Sequence, residues 1–282
     1  MPDYTILHAK RVCSPDEAST LIGDTVPDRQ PTVRGNVVIL DADTGRPVAA
    51  QLKITGAARL RQQLHTLKFG TLQRSNNYNS RSQTFGYRPR RPLRLRENCD
   101  TARATIDHPD IQTELDHIGD QCAALLADYS PELVREDRTE LADVLPEWKM
   151  GEAKLWTSGV INDTAQLPYH RDNFNYPVVS AMPVLRRHTR GGHLHLPEYD
   201  LVLPCQDSTA SFFKGKELVH GVTPITRLTE DSYRYSIVFY ALQGMKDCFT
   251  HAQETARGQR KRTERERAMA QRLANGDYNI PT

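Results

Sequence analysis

The sequence predicts an α+β protein whose second half is a compact antiparallel β sandwich or barrel, preceded by helices and followed by one more. Two patterns carry this expectation. From residue 150 the chain breaks into six short strand-like runs separated by Gly, Pro, Asp and Asn: KLWTSGVIN, YPVVSAMPVL, GGHLHLPEYDLVLP, TASFFKG, LVHGVTPI and YRYSIVFYAL. Between 110 and 145, by contrast, Ile111, Leu115, Ile118, Cys122, Leu125 and Leu126 recur at three and four residues, the spacing of an amphipathic helix.

The elements follow in order along the 282 residues. In GNVVILDADTGRPVAAQLKI, residues 35 to 54, apolar runs flank DADTGRP, so a hairpin is expected there. Residues 71 to 91 are rich in Asn, Ser and Arg with little periodicity, which predicts an exposed loop that orders only on a partner. DRTELADVL, 137 to 145, reads as a second short helix or turn, and 251 to 275 as a helix. In that last helix Glu264 and Glu266 lie among arginines at i,i+3 or i,i+4 spacing, and a thin apolar face predicts few contacts with the sandwich.

Composition narrows the classes. With 38% hydrophobic and 26% charged residues, and no apolar run near the ~18 residues of a spanning helix, a soluble, non-membrane protein is expected. The first twenty residues carry no export signal, so the expected location is intracellular: cytoplasmic in a bacterial or phage-infected host, nuclear in a eukaryote. The five cysteines, Cys13, Cys99, Cys122, Cys205 and Cys248, are odd in number and never in C-x-x-C spacing, which argues against a disulfide framework and against zinc. Net charge is only +2, yet basic residues cluster at 81 to 96, in RRHTR at 186 to 190, and near the C-terminus. Each run by itself suits a solvated surface; around a pocket they would suit a polyanion.

Chemistry enters with YHRDNFN, 169 to 175. On a strand, i and i+2 point to one face, so His170 and Asp172 can converge on one ion, although such a pair is also common on ordinary surfaces. His220, fifty residues later in LVHGVTPI, would complete a two-histidine, one-carboxylate facial triad of the kind that holds non-haem Fe(II). His188, His193 and His195 compete; in GGHLHLP the leucines alternate with the imidazoles, and if Leu194 and Leu196 face the core the histidines face elsewhere. Arg234 lies in the apolar YRYSIVFY with Ser236 on the same strand face, offering a bidentate fork and a hydroxyl for a carboxylate in a dry pocket.

H-x-D, a late His and R-x-S in this order resemble the Fe(II)- and 2-oxoglutarate-dependent dioxygenases. HRDNFN is similar to the H-R-D-x-x-N motif of the TET/JBP branch, which oxidises the methyl group of 5-methylpyrimidines in nucleic acid; HGVTPI, RYSIVFY and LPEY resemble other segments of that branch. The likeness covers roughly residues 150 to 242. It implies a double-stranded β-helix (jelly-roll) core at 149 to 245, a helical and loop extension at 1 to 148, and a basic helix at 246 to 282. It implies His170, Asp172 and His220 as Fe(II) ligands and Arg234 and Ser236 on 2-oxoglutarate. It further implies Asn175 as a contact to the target base and Tyr240 as the ring on which that base stacks, with DNA as partner and O2 as co-substrate.

Asn175 and Tyr240 are also the residue types that holding an extruded base requires. Because related halogenases lack the carboxylate, Asp172 favours hydroxylation. The sequence departs from the branch at two places: Leu242 stands where a cytosine-reading histidine follows the stacking ring, and Leu194 aligns with a further co-substrate histidine. The cysteine-rich zinc-bound region and long insert of the vertebrate members are absent, so the chain looks more like the short phage, protist and bacterial ones. Hydroxylation of 5-methylcytosine is favoured, with thymine as the other base. Two other classes stay open: a dioxygenase of the same fold acting on a free nucleoside, amino acid or secondary metabolite, and a non-catalytic jelly-roll binding module.

Overall fold

A computed structural model describes residues 4–73, 79–91, 93 and 96–276. The N-terminal part holds β1 (Thr5–Ala9), α1 (Pro15–Ser19), β2 (Val37–Asp41), β3 (Pro47–Lys53), α2 (Ala58–Leu64), β4 (Gly70–Gln73), β5 (Asn79–Arg88), β6 (Asp100–Thr101), α3 (Arg103–Asp107), α4 (Pro109–Tyr129) and α5 (Pro131–Glu140). The C-terminal part holds β7 (Ser158–Asp163), β8 (Ser180–Arg187), β9 (Thr189–Gly191), β10 (Leu194–Leu196), β11 (Leu201–Leu203), β12 (Thr209–Phe213), β13 (Gly221–Val222), β14 (Ile225–Arg227), β15 (Tyr233–Tyr240) and α6 (His251–Ala274).

One large sheet runs β1-β2-β3-β12-β8-β15-β7-β5-β4, with β6 paired to β5; a small sheet β11-β10-β13 packs on it, and β14 and β9 form a separate ribbon. Only β1 and β2 pair in parallel among these strands. The alternation of YRYSIVFY builds the layers. Tyr233, Tyr235, Ile237 and Phe239 join the core between large sheet and helices, while Val238, from the opposite face, packs on the core shared with the small sheet. Arg234, Ser236 and Tyr240 share the face of Val238 and so look into the jelly roll.

On α4 the residues Ile111, Leu115, Ile118, Cys122 and Leu126 are buried, as the spacing predicts. Gly119 lets this helix sit against the sheet: a Cβ there would come to 3.1 Å from the Phe239 ring. Ser130 caps α5, which begins and ends earlier than DRTELADVL suggested. The hairpin around DADTGRP forms as expected, with Ile39 opposite Ala49.

Two expectations are corrected. Residues 71 to 91 are not an exposed loop: β4 and β5 pair, and β5 runs along β7 from Ser82↔Asn162 to Gly86↔Ser158. The buried face of β5 is itself polar, with Ser82 Oγ donating to Asn162 Oδ1 at 2.8 Å, so no hydrophobic alternation marked the strand. Residues 74 to 78 of that segment lie outside the described residues. Second, Cys99 and Cys248 form a disulfide across 149 residues of sequence, tying the segment before α3 to the turn after β15. Such a pairing is made by tertiary contact, which local spacing does not encode. Cys13, Cys122 and Cys205 are free thiols.

The C-terminal helix α6 has a capping box, Thr250 with Gln253, and a single buried side chain, Glu254. That carboxylate accepts from Arg90 and from the backbone N–H of Cys99 and Phe249. Beyond it Arg257 donates to the Glu97 carbonyl and Arg265 pairs with Glu97, while the rest of the helix faces solvent with Lys261–Glu264 and Arg262–Glu266 pairs. No described helix is long and apolar enough to cross a membrane.

Candidate metal centre

The site forms where the chain returns twice to one place. His170 and His220 make an isolated antiparallel bridge, each N–H donating to the other's carbonyl at 2.9 and 3.0 Å. Two residues on, the Asp172 N–H donates to the Gly215 carbonyl at 2.9 Å. The backbone therefore places the three side chains before any ion is considered. One ligand atom from each of His170, Asp172 and His220 lies within 4.8 Å of the others, and these are the only three-residue metal-capable group among the described residues.

The chemistry of these donors suits a divalent ion. His170 Nδ1 faces the Pro168 carbonyl at 2.8 Å and His220 Nδ1 the Leu218 carbonyl at 3.0 Å. A carbonyl only accepts, so each Nδ1 carries the hydrogen and each Nε2 keeps a lone pair. Both Nε2 atoms face the carboxylate, at 3.8 Å from His170 and 4.0 Å from His220. Burial, and then neighbouring His170, pull His220 down to about 4, so its imidazole is neutral near pH 7. Asn175 Nδ2 donates to Asp172 Oδ2 at 3.2 Å, orienting the carboxylate. His170 and Asp172 are partly exposed and His220 is buried, so the cluster opens to solvent on one side.

Gly215 is needed for this packing. A Cβ on it would lie 2.6 Å from Asp172 Oδ2 and 3.3 Å from His220 Cε1. Nothing in FFKGKEL distinguished this glycine from a turn residue. Arg171, between the two motif ligands, points away and pairs with the fully buried Glu198 of LPEY at 3.3 Å; Glu198 also accepts from the Val219 N–H. One carboxylate thus holds both ligand-bearing segments.

Arg234 is completely buried in the jelly roll. Its Nη2 donates to the Gly192 carbonyl at 2.8 Å, while Nε and Nη1 have no hydrogen-bond partner among the described residues. Gly192 gives it room: a Cβ there would meet Arg234 Nε at 2.7 Å. Arg186, opposite Arg234 on β8, shows the contrast, because its guanidinium is spent on Thr189 Oγ1 and the carbonyls of Thr189, Gly191 and Cys205. A buried guanidinium with two unused nitrogens is costly unless an anion completes it. Ser236, two residues on, is buried and accepts from Asn162 Nδ2 at 3.3 Å.

The competing histidines go elsewhere. Leu194 and Leu196 enter the core, His195 bonds Tyr169 Oη and Arg29, and His193 Nδ1 meets the Pro204 carbonyl. His188 lies on the surface beside Thr229 and Asp231. Of the two residues assigned to the base, Asn175 joins the triad through Asp172, and Tyr240 lies at the end of β15, half-exposed, on the Arg234 face.

No family model and no curated protein matches this sequence. Solved structures do match in fold. The structure of NgTET1 in complex with 5mC DNA aligns with 16% identity over 87% of this chain and 84% of that one, at a TM-score of 0.58. An oxidoreductase of the 2OG-Fe(II) oxygenase family from Burkholderia pseudomallei aligns at 14% identity over 84% and 95%, TM-score 0.40, and OsALKBH1 at 12% over 70% and 97%, TM-score 0.39. The NgTET1 alignment, which spans nearly the whole of both chains, shows that this protein has the jelly-roll fold found among the 2-oxoglutarate Fe(II) oxygenases.

Proposed function

We propose that this protein is an Fe(II)- and 2-oxoglutarate-dependent dioxygenase that hydroxylates the 5-methyl group of a pyrimidine base in DNA, with 5-methylcytosine favoured and thymine the other candidate. The observation that carries the reading is the pairing of two features in one jelly roll: a His-Asp-His cluster with both Nε2 lone pairs turned to the carboxylate, and a buried arginine with two unused donors. His170, Asp172 and His220 would hold the iron, leaving places for a chelating co-substrate and O2. Arg234 would take the distal carboxylate of 2-oxoglutarate in a two-pronged bond, with Ser236 beside it. When bound, the iron and 2-oxoglutarate supply oxidation: one oxygen atom of O2 goes to the methyl carbon as hydroxyl, the other to succinate, with release of CO2.

The chain's own residues orient and exclude. The Arg171–Glu198 pair keeps the ligand-bearing segments in register. Asn175 would hold Asp172 with its amide and offer its remaining polar atoms to the base edge, while Tyr240 would give the base a face to stack on. The basic runs would track phosphates, giving binding that weakens steeply with salt. NgTET1 was solved in complex with 5mC DNA, and the likeness to it supports DNA as the substrate class here.

The test is direct. The protein is incubated with Fe(II), 2-oxoglutarate and O2 and with DNA containing either 5-methylcytosine or thymine alone, then the nucleosides are digested and weighed. A gain of one oxygen on one of these bases, lost in His170→Ala, is expected. No gain on either base, with 2-oxoglutarate still consumed, would move the substrate to a free small molecule; no iron binding at all would leave a binding module.

A further inference from the structure

Phe174 is the residue of HRDNFN that neither iron nor co-substrate explains. It stands 63% exposed, two positions from Asp172 and beside Asn175. Two residues of chain span at most about 7 Å, so the Phe174 backbone lies beside the candidate metal centre. Its backbone is fixed. The Asn175 N–H closes a turn on the Asp172 carbonyl, Lys216 Nζ donates to the Asn173 and Asn175 carbonyls, and the Gln243 N–H donates to the Phe174 carbonyl. Asn175 bridges Leu242, two residues past Tyr240, so this turn is fastened to the end of the strand assigned to the base. Arg91 lies over the ring, its guanidinium carbon 5.5 Å from the centroid, and among the described residues it has no ion pair.

A large exposed ring on a fixed backbone beside the candidate centre offers apolar surface that a partner can bury. The cation on it names the partner's charge. We propose that Phe174 is the wedge of this enzyme: on duplex DNA it enters the stack at the place vacated by the extruded base, while Arg91 engages the adjoining phosphate. This rests on the function proposed above. The placement suits the need, because a base drawn into the site leaves its gap in the stack facing the mouth of the site, and apolar side chains beside such a mouth can enter between base steps.

The experiment compares full-length wild type, Phe174→Ala, Phe174→Trp and Arg91→Gln on one 5-methylcytosine oligonucleotide, single-stranded and as duplex, with 2-aminopurine beside the target. Rates of oxidation are read with iron and 2-oxoglutarate; 2-aminopurine fluorescence is read separately on the metal-free protein. Phe174→Ala is expected to lower the duplex-to-single-strand rate ratio by about five- to a hundredfold, the usual worth of one base–aromatic stack, and to abolish the fluorescence rise on duplex. Phe174→Trp should restore both. Arg91→Gln should reduce the salt slope of duplex binding by about one. A rate ratio and fluorescence unchanged in Phe174→Ala overturn the wedge while the proposed function stands. A fluorescence rise that depends on Phe174, without oxidation of either strand, keeps the wedge and refutes the proposed function. No binding of duplex by wild type refutes both.

Discussion

Gly215→Ala isolates the steric demand of the candidate metal centre. The added carbon would sit 2.6 Å from Asp172 Oδ2, closer than the 3.0 Å below which something must shift, so the carboxylate must retreat by several tenths of an ångström. His220 Cε1, at 3.3 Å, allows almost no relaxation on the other side. Gly215 has no left-handed φ, so the backbone itself tolerates alanine and the damage falls on the ligand alone. Displacing a ligand or its support typically costs about 10- to 100-fold in metal affinity, or ~1.4–2.8 kcal/mol. The assay is calorimetric titration of the metal-free protein with Mn(II) or Co(II) as redox-stable probes. Gly70→Ala serves as control, since a Cβ there meets nothing within 4 Å. Affinity within twofold of wild type in Gly215→Ala, with the far-ultraviolet spectrum unchanged, would refute the idea that Asp172 is held where this packing puts it.

Three further outcomes follow from buried groups and covalent constraint. Arg234→Met should weaken 2-oxoglutarate binding by at least about 100-fold while leaving the co-substrate-free protein as stable or more so, because it removes a buried charge with two unused donors; unchanged 2-oxoglutarate affinity in a quenching titration would count against the arginine's role. Asp137 is buried, its Oδ2 accepting from the Val179 N–H and its Oδ1 unpartnered, and burial pushes it up to about 7. The folded state therefore holds a proton that the unfolded state releases near pH 4, so stability is full below about pH 4 as far as this group goes and falls as pH rises to about 7. Asp137→Asn should flatten that slope and stabilise the protein at pH 8 by about 1–3 kcal/mol in urea unfolding; an unchanged slope would contradict the assignment. Opening Cys99–Cys248 by Cys99→Ser with Cys248→Ser releases a cross-link spanning 149 residues, for which loop entropy gives up to about 5 kcal/mol, and the melting temperature should drop by up to about 10 °C. No difference between oxidised wild type and the double variant would refute the stabilising role of this cross-link.

The sequence was most readable where chemistry and local periodicity coincide. His170, Asp172 and His220 could be named together because H-x-D, a late His and R-x-S stand in an order that resembles a known family, and the three side chains do converge, although 171 to 174 is coil and turn rather than the strand that i,i+2 geometry assumes. Arg234 declared itself as a charge inside YRYSIVFY, and it is fully buried. The α4 stripe was visible because one face is wholly apolar. What stayed hidden depended on partners far along the chain. Strand β5 turns Ser82 to Asn162 where an apolar residue would have marked a strand, and its register is set by pairing with β7 and β4. Gly215 matters solely because Asp172 folds over it, and Glu198 because Arg171 and Val219 both reach it. The Cys99–Cys248 bond likewise required knowledge of which ends of the sheet meet.

The backbone bridge between His170 and His220 divides labour at the centre. Position 172 is held through its N–H on the Gly215 carbonyl, and the two histidine positions through each other's main chain, so none of the three depends on its side chain to stay in place. The frame is therefore indifferent to what it displays. A residue without a carboxylate at 172 would keep its backbone contact with Gly215, and a different side chain at 242 would alter the mouth of the site without touching His170, Asp172 or His220, whereas a change at 175 would also release the Asp172 carboxylate. Separating support from display in this way leaves the chemistry of the site open to replacement one residue at a time, while the chain path around it stays the same.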